Sequence, residues 1–327
     1  SKFIAAVVER YDGDGILDAP GTLCTKFHLD ARISDTSYVS ESSKCYAQMI
    51  KVASRAVSMA SASAKLIVGG FSDNKTHIWP AILNELRKFQ AEAGYPFFDI
   101  MAISNNFGSS RADSENYSFI NRISRNTRKL LDENGLQRTP ITCLSAMNYV
   151  GAAKDYPEQT ERDQANELVK RIMTMIGNGC QTACWGMEKD VSSNIFGSCG
   201  LLDLNGNPRL SYYSMQKLLL ETSKVQVLPY DLPGGKTTVG RWIAPEYNSL
   251  WGMRFGINDP FVIAWVNGSK PPTFSYVDFD FPVTQALELE YLVPDQKSGK
   301  ETGGKPTFKK VTVFRQDGEF KIPVDRL

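Results

Sequence analysis

Pro140-Ile141-Thr142-Cys143-Leu144-Ser145-Ala146-Met147-Asn148-Tyr149 is the stretch on which the fold turns. It is uncharged, mostly apolar and opened by a proline. A short continuous apolar run of this kind reads as a strand buried on both faces, as in parallel sheets. The same texture returns on either side. Lys65-Leu66-Ile67-Val68-Gly69-Gly70 reads as a buried strand ending in glycines, and residues 97–104, 181–185 and, more weakly, 25–30 read as further strands. Amphipathic helices lie between them. Tyr46, Met49, Ile50, Ala53, Ala56 and Val57 recur at three-four spacing, as do Leu168, Val169, Ile172, Met173 and Ile176, and Met215, Leu218 and Leu219 mark a last helix after Asn207-Pro208. Strand-helix alternation of this kind predicts parallel strands with crossover helices.

Beyond residue 222 the texture changes to period-two alternation, over 250–255, 261–266, 274–281 and 286–293. Val311-Thr312-Val313-Phe314 and Phe320-Lys321-Ile322 flank Gln316-Asp317-Gly318-Glu319, which predicts a hairpin. The expected division is therefore an α/β domain over residues 1–222 and an antiparallel β-sandwich over 223–327.

Composition narrows the function classes. The 327 residues hold 42% hydrophobic and 22% charged side chains, a globular balance. A net charge of +1 gives no electrostatic reason to bind nucleic acid. No apolar run is long enough for a membrane span, which takes about 20 residues. Ser1 to Arg10 becomes charged too soon for a signal peptide and reads as the last turns of an amphipathic helix, so a processed or truncated start is expected. The six cysteines form no CxxC pair and only His28 and His77 could add imidazole, so neither zinc nor another cofactor is expected. Cys143 and Cys184 are expected in buried strands. Sequons at Asn74, Asn116 and Asn267 would permit glycosylation in a secreted protein.

With the elements placed, a series of motifs resembles the clan A glycoside hydrolases, most of all family 39 and its microbial relatives. Glu9-Arg10-Tyr11-Asp12-Gly13-Asp14-Gly15 with Asp18-Ala19-Pro20-Gly21 is similar to the loop leading into their fourth barrel strand. Residues 64–70 resemble the fifth strand, 98–103 the sixth and the opening stretch the seventh. Cys184-Trp185-Gly186-Met187 resembles the eighth, which places an aromatic under the sugar. Gly200-Leu201-Leu202-Asp203, Asn205-Gly206-Asn207-Pro208 and Tyr212-Tyr213 resemble the approach to the final helix. The resemblance implies a fold that is α/β plus all-β: a partial (β/α)8 TIM-type barrel holding strands four to eight, then the β-sandwich.

The same resemblance implies that chemistry is missing. Retaining glycosidases use two carboxyl groups about 5 Å apart. The family's acid/base glutamate falls at Ile33 or Ser34, its sixth-strand histidine at Ser104 and its nucleophile at Ser145 or Ala146. These degenerate positions imply an inactive glycosidase-like protein acting as a structural or assembly subunit. Trp185, Asn106, Asn148 and Glu188 are the expected ligand-binding residues for a retained glycan. A retaining hydrolase with carboxylates from other positions or from a partner, and a carbohydrate-binding protein, are the alternatives. An open sheet exposes its edges, so the expected partner is another chain or cleaved fragment supplying the first three strands. The expected setting is extracellular or within a virion-like particle. Asp12, Asp14 and Asp18 offer hard oxygens suited to calcium; a glycine-rich turn explains them equally well.

Overall fold

The computed structural model describes residues 2–14, 16–19, 23–29, 39–71, 78–91, 94–106, 114–153, 156–191, 198–223, 230–232, 236–238, 250–255, 261–266, 276–277, 286–314 and 322–323. Contacts divide the chain into two compact units. The first holds residues 1–105, 122–145 and 180–183, and the second holds 106–121, 146–179 and 184–327.

In chain order the first strands are β1 (Lys26–Leu29), β2 (Lys65–Phe71), β3 (Ile100–Asn106), β4 (Ile141–Met147), β5 (Gly151–Ala153), β6 (Tyr156–Gln159) and β7 (Cys180–Trp185). Five of them hydrogen-bond in the order β1-β2-β3-β4-β7. β1 pairs with β2 in parallel, His28 opposite Ile67, and β2 pairs with β3 in parallel, Ile67 opposite Ile100. All five strands expected of the sheet are present, the weak candidate at 25–30 included. β3 starts later than its apolar run, at Ile100, because Phe97 turns through a left-handed φ of 66° before it.

The helices of the first unit follow from their apolar stripes. α1 spans Lys2–Tyr11 and α2 spans Val39–Ala60, where Tyr46, Ile50, Ala53, Ala56 and Val57 are buried as their spacing predicts. Met49 departs from the pattern and is exposed. α3 (Trp79–Arg87) starts with Pro80 in its first turn, where the missing N–H costs nothing. It buries Trp79, Ile82, Leu83 and Leu86, each such side chain contributing about 1.5–3 kcal/mol. The Trp79 ring lies 6.3 Å from those of both Tyr46 and Phe98. α4 (Ser114–Glu133) begins in residues assigned to the second unit and ends in the first.

Within the second unit, α5 (Glu161–Gly177) opens on a capping box. The Thr160 hydroxyl accepts from the Asp163 amide while the Asp163 carboxylate accepts from the Thr160 amide at 2.8 Å. Leu168, Val169, Ile172, Met173 and Met175 are buried along it. α6 (Leu210–Ser223) buries Leu218 and leaves Leu219 exposed.

The remaining strands are β8 (Tyr230–Leu232), β9 (Lys236–Thr238), β10 (Leu250–Phe255), β11 (Phe261–Val266), β12 (Tyr276–Val277), β13 (Ala286–Glu290), β14 (Lys310–Phe314) and β15 (Ile322–Pro323). They form two-stranded antiparallel ladders: β8 with β9, β10 with β11, β12 with β15 and β13 with β14. The hairpin expected across residues 316–319 lies outside the described residues; the described strands beside it, β14 and β15, pair with β13 and β12. β14 takes β13 because their five-residue register aligns Leu287 with Val313 and Leu289 with Val311. Lys310 adds cross-strand ion pairs to Glu288 at 2.9 Å and Glu290 at 3.6 Å.

Residues 291–309, between β13 and β14, form a strap over the helix starts. Arg162 donates through Nη2 to the carbonyls of Pro294, Asp295 and Gln296 at 2.9, 3.1 and 2.8 Å. Glu161 Oε2 accepts from the amides of Gly299 at 2.7 Å and Leu210 at 3.1 Å. Gly299 passes so close to Pro208 that a Cβ there would sit 1.9 Å from the Pro208 oxygen, so only glycine fits.

Candidate functional site

In a sheet of parallel strands, binding and chemistry gather where the strands end. At the end of β2, Gly69 and Gly70 adopt φ values of 98° and 79° and shift the register against β3. The Tyr46 hydroxyl fills the break: it accepts from the Gly69 amide and donates to the Leu29 carbonyl, both at 3.0 Å. His28 Nε2 lies 3.1 Å from the Gly69 carbonyl, which makes that nitrogen the protonated one in the neutral ring. A Cβ on Gly70 would meet the His28 ring at 3.3 Å and Ser104 Oγ at 3.6 Å. His28, Gly70 and Ser104 thus converge at the ends of β1, β2 and β3.

Alternation along each strand sorts the sequence candidates. Ile67, Ile100 and Ala102 form one buried cluster with Leu144 packed against it. Ser104 shares the side of Ile100 and Ala102 along β3, and Ala146 shares the side of Leu144 along β4. Ser145 points to the opposite side. Ser104 is 4% exposed and Ala146 has no exposed surface. Ile33 and Ser34 lie outside the described residues, as do His77 and the side chain of Asn106.

In the second unit, Asn148 is buried, its amide donating to Gln159 Oε1 at 2.6 Å and its carbonyl accepting from Gln164 Nε2 at 3.1 Å. Ser211 Oγ closes this buried group by donating to Gln164 Oε1 at 2.7 Å. Asn148 is therefore engaged by protein partners. Glu188 is exposed. Trp185 is half-buried and its indole N–H donates to the Cys199 carbonyl at 3.0 Å. Met147, Tyr149 and Cys199 cluster beneath this segment, with Met187 against them.

Sequence reasoning passed over the groups that hold this segment. Asp190 and Arg209 form a buried ion pair, and both bond the backbone around Cys199. Neither belongs to a recognisable motif; only long-range geometry reveals them. Burial, reinforced by Asp190 and opposed by Arg209, pushes the Cys199 thiol up to about 12. Burial likewise raises Cys180, with Cys143 adding to it. All six cysteines are thiols; Cys143 is buried as expected and Cys184 half-buried.

Asp12, Asp14 and Asp18 do come together, each offering an oxygen within 4.8 Å of the others. Their carboxylates also accept from the amides of Asp14, Ile16 and Gly13, respectively, at 3.4, 2.8 and 3.1 Å. These bonds stitch the turn at Gly13.

No protein-family profile and no curated protein sequence matches the chain. Solved structures do. A family 39 glycoside hydrolase from Bacteroides cellulosilyticus aligns at a TM-score of 0.53 and 13% identity, covering 100% of this chain and 59% of its own. A family 51 α-L-arabinofuranosidase from Thermotoga petrophila aligns at 0.55 and 10%, covering 98% and 70%. A family 44 xyloglucanase from Paenibacillus polymyxa aligns at 0.51 and 10%, covering 98% and 68%. The chain thus spans 59% of the length of the family 39 enzyme. It has the fold of the clan A glycoside hydrolases, with its parallel strands and helices forming a partial α/β barrel. At these identities the likeness speaks for the fold alone.

Proposed function

We propose that the chain is a catalytically inactive glycosidase-like protein that serves as a structural or assembly subunit and retains glycan recognition at Trp185. One observation carries this reading: the ends of β3 and β4 present Ser104 and Ala146 on the same side as the buried cluster, and neither holds an ionisable oxygen. A retaining mechanism needs a pair of carboxyl groups there. On the resemblance, Ile33 or Ser34 occupies the acid/base position and Ser145 or Ala146 the nucleophile position; alternation along β4 favours Ala146, which shares the side of Leu144.

β1 is an edge of the sheet, bonded among the described residues to β2. This supports a partner chain or cleaved fragment that continues the barrel from that edge. The four antiparallel ladders support a terminal β-sandwich, and the three sequons support an extracellular or particle-associated setting. A carbohydrate-binding role draws on Trp185, an aromatic whose polar edge is tied down and whose ring is half-buried.

Two measurements test the proposal. Incubation with aryl glycosides is expected to give no turnover above buffer. Turnover abolished by a single carboxylate substitution would end the inactive reading. Native mass spectrometry from the source is expected to show stoichiometric association with a second polypeptide, and a protein that stays monomeric there would remove the subunit role.

A further inference from the structure

We infer that the buried Asp190–Arg209 pair is a positioning device that sets the orientation of Trp185 by clamping residues 198–200. This rests on Trp185 acting as the stacking platform for a pyranose ring. The indole N–H is received by the Cys199 carbonyl, so the position of that carbonyl bears directly on the orientation of the ring. The peptide groups on either side of Cys199 are both held. The Gly200 amide donates to Asp190 Oδ1 at 2.7 Å, and the Gly200 carbonyl accepts from Arg209 Nη1 at 2.9 Å and Gln164 Nε2 at 3.4 Å. The Ser198 carbonyl accepts from the Val150 amide at 2.9 Å and from Arg209 Nη1 at 3.3 Å.

Arg209 and Asp190 also bond each other directly, with side chains 8% and 3% exposed. A Cβ on Gly200 would lie 2.6 Å from both the Asp190 amide nitrogen and the Leu202 carbonyl, so the backbone can pass between its clamps only as glycine. A buried ion pair is a poor source of net stability, because desolvation offsets its attraction. Fixing one geometry is the better-founded use for it. Here the geometry fixed is that of the carbonyl which aims an aromatic ring, and stacking on a sugar depends on the plane of that ring.

Arg209→Lys keeps the charge and removes the planar fork. In protein labelled with ¹⁵N on its indoles, the Trp185 signal is assigned by its loss in Trp185→Phe. In Arg209→Lys that signal is expected to shift and its proton to exchange about tenfold faster, while the Trp79 signal holds. An unmoved Trp185 signal in a folded Arg209→Lys or Asp190→Asn protein overturns the inference. The unmutated protein supplies an independent check. The Trp185 indole proton and the Gly200 amide are expected to share one exchange rate constant after correction for intrinsic chemistry, and a disagreement of tenfold or more overturns the coupling. Binding of xylohexaose and cellohexaose is followed in parallel. A weakened affinity in Arg209→Lys supports both statements. A shifted signal in a protein that binds neither oligosaccharide, mutated or not, supports the clamp and overturns the platform.

Discussion

Glu161 offers the sharpest test of how the second unit is held together. Its Oε2 accepts from Gly299 in the strap at 2.7 Å and from Leu210, the first residue of α6, at 3.1 Å. The Leu210 N–H has no partner within its own helix, and a carboxylate there also meets the positive end of the helix dipole. Glu161→Ala removes two charge-assisted bonds, each worth about 1.5–3 kcal/mol. Glu161 is half-buried, so water can partly replace it and the lower end of the range applies, a loss of about 3 kcal/mol in all. Glu161→Gln keeps the oxygen without the charge and should lose about half as much. A unit of this size shifts its melting temperature by about 2–4 °C for each kcal/mol. Calorimetry should therefore record a fall of about 6 °C or more for Ala and about 3 °C or more for Gln. Urea titrations should show a lower midpoint at unchanged slope. Equal shifts for the two variants, or a shift below about 1 °C for Ala, would refute the assignment of the strap to this carboxylate.

Further outcomes follow from single groups. The Asp203 carboxyl is held below the usual range by hydrogen bonds from the Asn207 side chain and backbone, with Asn205 and Lys300 adding to them. Its contribution is present above the unfolded value of about 3.9 and fades as pH falls through the lower folded value; the melting-temperature gap between wild type and Asp203→Ala should close on acidification, and a constant gap would discount it. Tyr46→Phe strands the Gly69 amide and the Leu29 carbonyl and should cost about 2 kcal/mol by urea denaturation; a neutral result would mean that water fills the break in β2. In native protein at pH 8, an alkylating agent followed by mass spectrometry should label exposed Cys45 and spare Cys143, Cys180 and Cys199, which are buried. Labelling of Cys199 before Cys45 would contradict the burial assigned to it.

The sheet was legible because each of its strands carries its own signal: a short apolar run, punctuated by glycine or proline, beside a helix with a three-four stripe. The stripes placed Tyr46, Ile50, Leu168 and Ile172 correctly. They failed at Met49 and Leu219, where a position next to the stripe is apolar without being covered. The β5–β6 pair went unread because Gly151 and Ala153 are too small to declare an alternation. The strap was invisible for a different reason: its conformation is imposed by Glu161 and Arg162, more than a hundred residues away. The pairing of β14 with β13 and of β15 with β12 was not legible either, because cross-strand register with distant segments sets it. Among the candidate site residues, the strand ends could be located from periodicity. The roles of Asp190, Gly200 and Arg209 could not, since each acts on the backbone of another segment.

The burial of Ala146 has a consequence for what can be built at the end of β4. Nothing of it touches solvent, and its carbonyl is taken by the Gly186 amide at 2.9 Å. A glutamate at that spot would have to push aside packed neighbours and lose the hydration of its charge. A single codon change to an acid would therefore leave a charge among packed side chains with no hydration to offset it. The end of β4 can accept a carboxylate at this position only where the neighbouring packing opens first.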